Sequence, residues 1–127
     1  MANEATITTT LKVVKGNINY QSLPASYQGT VTGTAGPVPG AKSIATTSTG
    51  TAISFSPLTT AGYCRFQNLD GTNYVEVGIM TGGAFYPLFE LLAGQSAVMR
   101  MSRNVGSTLG ARANTAAVVL VVEAFET

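Results

Sequence analysis

The sequence predicts an all-β domain: an antiparallel β-sandwich, with the jelly roll among its variants, built from seven to nine short strands. Three observations lead there. Apolar and polar residues alternate with period two in one segment after another. Gly-rich turn signals fall between these segments at short intervals. No window sustains the i, i+3, i+4, i+7 apolar spacing of an amphipathic helix.

The elements follow in order. Ile7, Leu11 and Val13 share one parity while Thr6, Thr8, Thr10 and Lys12 take the other, which makes residues 5–15 a half-buried strand with β-branched threonines on its wet face. Gly16 and Asn17 end it. From Asn19 to Ala41 the chain reads "NYQSLPASYQGTVTGTAGPVPGA", without a single charge and with four glycines and three prolines. Each proline removes a backbone donor and fixes φ, so residues 19–41 are expected to be an extended Pro/Gly-rich arm or loop, with at most a short strand near Tyr27 to Thr34. Strands are then expected at 42–47, 51–57, 62–68, 73–80, 84–91, 96–102 and 116–125. Together with strand 5–15, residues 42–127 would form the core of one domain spanning 1–127. The last strand, "AAVVLVVEAF", is apolar at both parities from Val118 to Val122. Both of its faces should therefore be covered: one by the core, the other by a second copy of the chain in preference to a long loop of the same chain.

"NLDGTNYVEVG", Asn68 to Gly78, concentrates polar groups. An EF-hand loop starting at Asp70 would need oxygen ligands at its third position, Gly at its sixth and Glu at its twelfth. The chain has Thr72, Val75 and Thr81 there. Asp-Gly between two alternating runs is instead a hairpin signal, since both residues tolerate positive φ. That reading places Val75, Val77 and Ile79 toward the core, Glu76 on the wet face, and Arg65 opposite Glu76.

Composition narrows function. The 127 residues are 45% hydrophobic but 10% charged, against about 25% charged in an average soluble domain. Seven Lys and Arg against six Asp and Glu leave a net charge of +1, so little repulsion keeps copies apart. An assembly is expected. The chain has no histidine and one cysteine, which removes the commonest general base and any internal disulfide. Cys64 stands at core-facing parity beside Phe66, where a free Cys acts as a small hydrophobe. The six acids (Glu4, Asp70, Glu76, Glu90, Glu123 and Glu126) form no evident pair. "GPVPGAKS", Gly36 to Ser43, has the outline of a phosphate-binding loop, but Pro37 and Pro39 delete donors that phosphate would need. Arg100, Arg103 and Arg112 suit carboxylate pairing within or between subunits better than nucleic acid, which calls for a larger basic excess and stacking aromatics. No catalytic, cofactor-binding or metal-ligating residue is expected, and the reading points away from an enzyme. "MANEATITTT" lacks a basic region and an apolar stretch, and the longest apolar run falls short of the ~20 residues of a spanning helix. Synthesis in a cytoplasm without membrane insertion, followed by use wherever the assembly goes, is the expectation.

"GYCRFQNLDGTNYVEVGI" followed by "FYPLFELLAGQSAVMRM" resembles small virion proteins of tailed bacteriophages. Those read N-l-D-x-T-N-Y-V-x-[IV]-G, then a short loop, an aromatic-rich strand and L-x-x-G. Asn68, Asp70, Thr72, Asn73, Tyr74, Val75, Val77 and Gly78 carry the first part; Phe89, Leu91, Leu92, Gly94 and Gln95 carry the second. The resemblance runs from Ile44 to Arg100. It implies a β-sandwich or jelly-roll subunit of a phage particle with no catalytic residues to transfer. The expected role is a capsid decoration or cement protein, homo-oligomeric and bound to virion proteins such as the major capsid protein. A tail or head–tail subunit is the alternative within that class. Outside it stands a carbohydrate-binding sandwich of a fibre, using Tyr20, Tyr27, Tyr63, Tyr74 and Tyr86.

Overall fold

A computed structural model describes residues 4–102 and 108–127. It is all-β, and every strand pairing is antiparallel. Twelve strands appear among the described residues, more than the seven to nine expected. The chain divides into two compact units, Met1–Thr32 and Gly33–Thr127.

The first unit is a two-stranded ribbon. Strand β1 (Ala5–Thr9) pairs with β4 (Ala25–Gly29), and β2 (Lys12–Lys15) pairs with β3 (Ile18–Gln21). Gly16, with φ of 55°, makes the turn between β2 and β3, a conformation glycine adopts without steric cost. Between the two paired stretches the register slips by one residue: Thr9 faces Ala25, whereas Lys12 faces Gln21. The Leu11 carbonyl accepts the Ser22 N–H at 2.8 Å, and the Ser22 hydroxyl accepts the Leu11 N–H at 2.8 Å, closing the ladder across the slip. Two expectations are corrected here. Residues 19–41 are not a loop, since they hold β3, β4 and the start of β5. Residues 5–15 do not join a sandwich sheet, because their partners are β3 and β4.

The second unit is sandwich-like, with two four-stranded sheets. One has the order β10-β7-β12-β5, from β10 (Ser96–Arg100), β7 (Ala61–Asn68), β12 (Val118–Glu126) and β5 (Val38–Ile44). The other has the order β6-β11-β8-β9, from β6 (Thr51–Ala52), β11 (Thr108–Ala113), β8 (Val75–Thr81) and β9 (Ala84–Leu91). Period two explains the packing. Val118, Leu120, Val122 and Ala124 of β12 are buried, as are Cys64 and Phe66 of β7, Val75 and Val77 of β8, and Leu109, Ala111 and Ala113 of β11. Phe66 meets Phe89 edge to face, with ring centroids 5.6 Å apart, an arrangement that adds to what their burial contributes.

Strand edges are blunted against growth by pairing with another chain. Pro39 lies on the edge strand β5, where a missing donor is tolerated. Edge strand β9 carries Pro87 and a bulge opposite Val77 and Gly78. Gly78 is required there: a Cβ would overlap the Tyr86 carbonyl oxygen and come within 2.7 Å of the Pro87 Cα. Edge strand β6 has only two residues.

The expected hairpin at Asp70-Gly71 is absent. Strand β7 lies in one sheet and β8 in the other, so residues 69–74 form a corner that crosses between layers. Neither Asp70 nor Gly71 has positive φ. Arg65 and Glu76 consequently do not meet. Arg65 pairs with Glu123 across β7 and β12 at 2.6 Å, and Arg112 pairs with Glu76 across β11 and β8 at 2.5 Å.

Candidate functional site

The polar groups of the Asn68–Asn73 corner act on each other. Asn68 is fully buried at the end of β7. Its Nδ2 donates to the carbonyls of Asn73 at 2.8 Å, Leu91 at 3.1 Å and Leu92 at 3.3 Å, so one amide ties the corner to β9 in the opposite sheet. Its Oδ1 accepts the Asp70 N–H at 2.9 Å. Asp70 Oδ1 in turn accepts the Thr72 N–H at 2.8 Å and the Asn73 N–H at 2.6 Å. Hydrogen bonds from the Asn73 and Thr72 backbone to the ionised form hold the Asp70 carboxyl below the usual carboxylate range. A lowered folded value means that the stabilisation is present above the unfolded pKa and is given up as pH falls through the folded one. These side chains satisfy loop backbone, and no cluster of three or more His, Cys, Asp or Glu that could hold a metal ion occurs among the described residues.

Cys64 is buried, and burial, followed by the nearby Glu123 charge, pushes its thiol up to about 12. It is protonated at neutral pH and shielded, the opposite of an activated nucleophile. Lys42, the one charged residue of the phosphate-loop outline, lies within strand β5, with no helix N-terminus behind it.

Of the three arginines, Arg103 lies outside the described residues. Arg100 belongs to β10 and Arg112 to β11, in different sheets. Arg100 sits 5.8 Å from the Tyr63 ring centroid and donates to the Thr127 hydroxyl at 3.0 Å. Arg112 sits 5.1 Å from the Phe85 centroid, donates twice to Glu76 Oε2 and reaches the Ser48 carbonyl at 3.4 Å. Both guanidiniums are committed to local packing. The tyrosines are likewise dispersed: Tyr63 is buried, Tyr20 and Tyr27 are exposed on the ribbon, and Tyr86 is exposed on β9.

A cleft of about 430 Å³ opens between Ile53, Phe55, Leu58, Met101 and Leu109. Its rim includes Ser102 and Thr108, the residues that flank the undescribed 103–107. Among the described residues its lining is mostly apolar and holds no charged side chain.

Among the described residues, Leu69, Tyr86, Leu88, Leu92 and Val98 are exposed apolar side chains, and two further apolar surfaces bear on the expectations from sequence. Strand β12 is central in its sheet, and its inner face is buried. Within a single chain its outer face is not fully covered: Val119 is 43% exposed and Val121 half-buried. Register places Val119 and Val121 beside Ser43 and Ala41 of β5, with the Arg65–Glu123 pair next along the face.

The ribbon is the second such surface, and the more exposed. Residues directly opposite in an antiparallel pair share a face. One face therefore carries the opposed pairs Ile7 and Tyr27, Thr9 and Ala25, Val13 and Tyr20, and Lys15 and Ile18. Leu11 belongs to the same face by the parity of its strand. The other face carries Thr6, Thr8, Gln28, Ser26, Lys12, Gln21, Val14 and Asn19. Leu11 is 59% exposed, Ile18 56% and Tyr20 53%. The alternation was readable at Ile7, Leu11 and Val13, but Ile18 and Tyr20 were missed as their partners. The Gly16-Asn17 turn before "INYQ" was the available signal. No family model, curated protein or solved structure matches the chain.

Proposed function

We propose that the protein is a non-enzymatic structural subunit of a bacteriophage virion, most simply a capsid decoration protein that assembles with copies of itself and binds the shell. The observation that carries this reading is the ribbon. A two-stranded hairpin is marginal in water at best, and this one leaves Leu11, Ile18 and Tyr20 more than half exposed on one face. Such a face is an interaction surface in a soluble protein. The low charge, the partly uncovered outer face of β12 and the resemblance of Asn68–Gly78 to small virion proteins agree with it. The jelly-roll variant of the sandwich-like layering, and an N-terminal segment that works as an arm, belong to the same proposal. So do the virion as its location and the major capsid protein as a partner.

Mass spectrometry of gradient-purified phage particles, from cells in which the chain is expressed, tests the reading. The chain is expected in the particles at a stoichiometry that repeats with the shell. Its absence from washed particles contradicts the proposal. Recovery with tails alone moves it to the tail or head–tail subunit, and saturable binding of isolated protein to host polysaccharide would favour a fibre module.

A further inference from the structure

We infer that the hollow between Tyr74, Glu76, Arg112 and Asn114, on the β6-β11-β8-β9 sheet, binds one sugar residue of a neutral saccharide. It measures about 400 Å³, and Thr46, Ser48 and Thr115 complete its walls. That volume lies within the ~300–1,000 Å³ of small-ligand sites. It shares no lining residue with the apolar cleft at Ile53 and Leu109.

Strand register builds the hollow. Glu76 faces Arg112 across β8 and β11. The Asn114 N–H donates to the Tyr74 carbonyl at 3.4 Å, which carries the pairing one step past the ladder. Two opposed pairs on one face therefore stand side by side: a carboxylate with a guanidinium, then an aromatic ring with an amide. The segment after β5 supplies another wall. Its Ala45 carbonyl accepts the Ala113 N–H at 3.0 Å, and its Ser48 carbonyl accepts from Arg112 at 3.4 Å. Thr115 Oγ1 donates to Asn73 Oδ1 at 2.6 Å and fixes the opposite side. Walls tied down in advance lower the ordering cost of binding.

Two groups in the hollow have bonds to give. Arg112 donates twice to Glu76 Oε2, which orients the carboxylate, while Glu76 Oε1 has no partner among the described residues. Asn114 Oδ1 is buried without a hydrogen bond, the only such atom among the described residues, and the Nδ2 of the same amide has no partner among them either. Buried polar groups are nearly always paired, so this amide marks a place for a partner from outside the chain. Neither end is held, and the amide can turn to present Nδ2 or Oδ1.

A hydroxyl donates and accepts, so it serves either end. Two neighbouring hydroxyls of one sugar ring fit the pair: one donates to Glu76 Oε1 and the other bonds the Asn114 amide. Tyr74 offers a ring with an apolar body and a polar tip, against which the C–H face of the sugar can lie. Charge narrows the class. The Arg112–Glu76 pair is neutral as a unit, which favours neither an anion nor a cation. An apolar ligand would strand the polar lining. One sugar in an open hollow binds weakly, at roughly millimolar Kd, and copies arrayed on a particle would strengthen attachment by avidity. The site does not depend on where the subunit sits.

Amide chemical shifts of the full chain, followed by nuclear magnetic resonance, supply the test. The probes are glucose, galactose, N-acetylglucosamine, the O-polysaccharide cut from a lipopolysaccharide, and inorganic phosphate as the charged control. At least one sugar probe is expected to move the amides of Tyr74, Glu76 and Asn114 saturably, and phosphate to leave them in place. Asn114→Ala and Tyr74→Ala should each weaken that binding by about fivefold or more. Urea unfolding of Asn114→Ala should match wild type, since the amide makes no internal bond; a lowered midpoint would assign Asn114 a structural role and overturn its part in the site. No saturable shift with any sugar overturns the inference, as does binding that both variants leave unchanged. Saturation by phosphate alone overturns the neutral class. A response to free sugars identifies a small saccharide as the ligand, and a response to the polysaccharide alone identifies a surface glycan and moves the subunit to a fibre. Recovery of the chain in purified particles decides the virion reading separately.

Discussion

Replacing Asn68 by Leu is expected to lower folding stability by about 3 kcal/mol, although the two side chains share the same branched heavy-atom outline. Asn68 is fully buried, and its amide serves the carbonyls of Asn73, Leu91 and Leu92 and the N–H of Asp70. Leucine keeps the packing and removes the partners. Buried groups left unpaired cost about 1–3 kcal/mol each. Some of these carbonyls keep other bonds, such as that of Leu92 with the Gln95 N–H at 2.9 Å, so the total stays below the full sum. Asn68→Asp should be at least as damaging, since a carboxylate would face carbonyl oxygens in a dry site. Urea unfolding measures both. A loss under about 1 kcal/mol for Asn68→Leu would mean that the corner is held by other contacts.

Phe66→Ala should cost about 3–5 kcal/mol, the usual range for emptying an aromatic from a core. Phe66 is fully buried on β7, between β10 and β12, and its ring meets that of Phe89. Out of a total stability of about 5–15 kcal/mol this is a third or more, and partial unfolding at physiological temperature is expected. Phe66→Leu keeps most of the volume and should lose less than half as much. The same denaturation series reads both, and near-equal values for the two variants would show that the site collapses around the gap.

Much of the layering was legible because burial leaves a period-two imprint. Val75 and Val77, and Cys64 and Phe66, stand on the side that parity assigns. The strand at 84–91 was expected with the bounds it has. Strand β11 escaped notice because its sequence, "TLGARA", is nearly all small. Its smallness follows from packing: a Cβ on Gly110 would overlap the Met80 side chain. The corner at Asp70-Gly71 was misread for a different reason. A turn signal reports local backbone preference and carries nothing about whether the following strand returns to the same sheet or crosses to the other. That choice depends on the long-range bonds of Asn68 to Leu91 and Leu92. Once the crossing is known, the exchange of Arg65 and Glu76 partners follows from register alone.

The stretch 19–41 was opaque because the ribbon buries so little. Strands β2 and β3 are exposed at every position, so only one face needs apolar residues, and "INYQ" supplies two. Strand β5 was shortened at its start because Pro39 argues against a central strand, yet an edge tolerates it. The candidate surface was legible in part. The doubly apolar β12 and the low charge directed attention to surfaces for other copies, whereas the ribbon's apolar face joins Leu11 and Val13, read as strand, to Tyr20, which fell in the segment read as a loop.

The most direct test is amide hydrogen exchange along the ribbon as protein concentration rises. The account predicts that Leu11 to Gln21 exchange fast in dilute protein and become protected as copies associate, while Val118 to Glu126 stay protected throughout. Ribbon exchange that is equally fast at every concentration, or fully protected in dilute monomer, would contradict it.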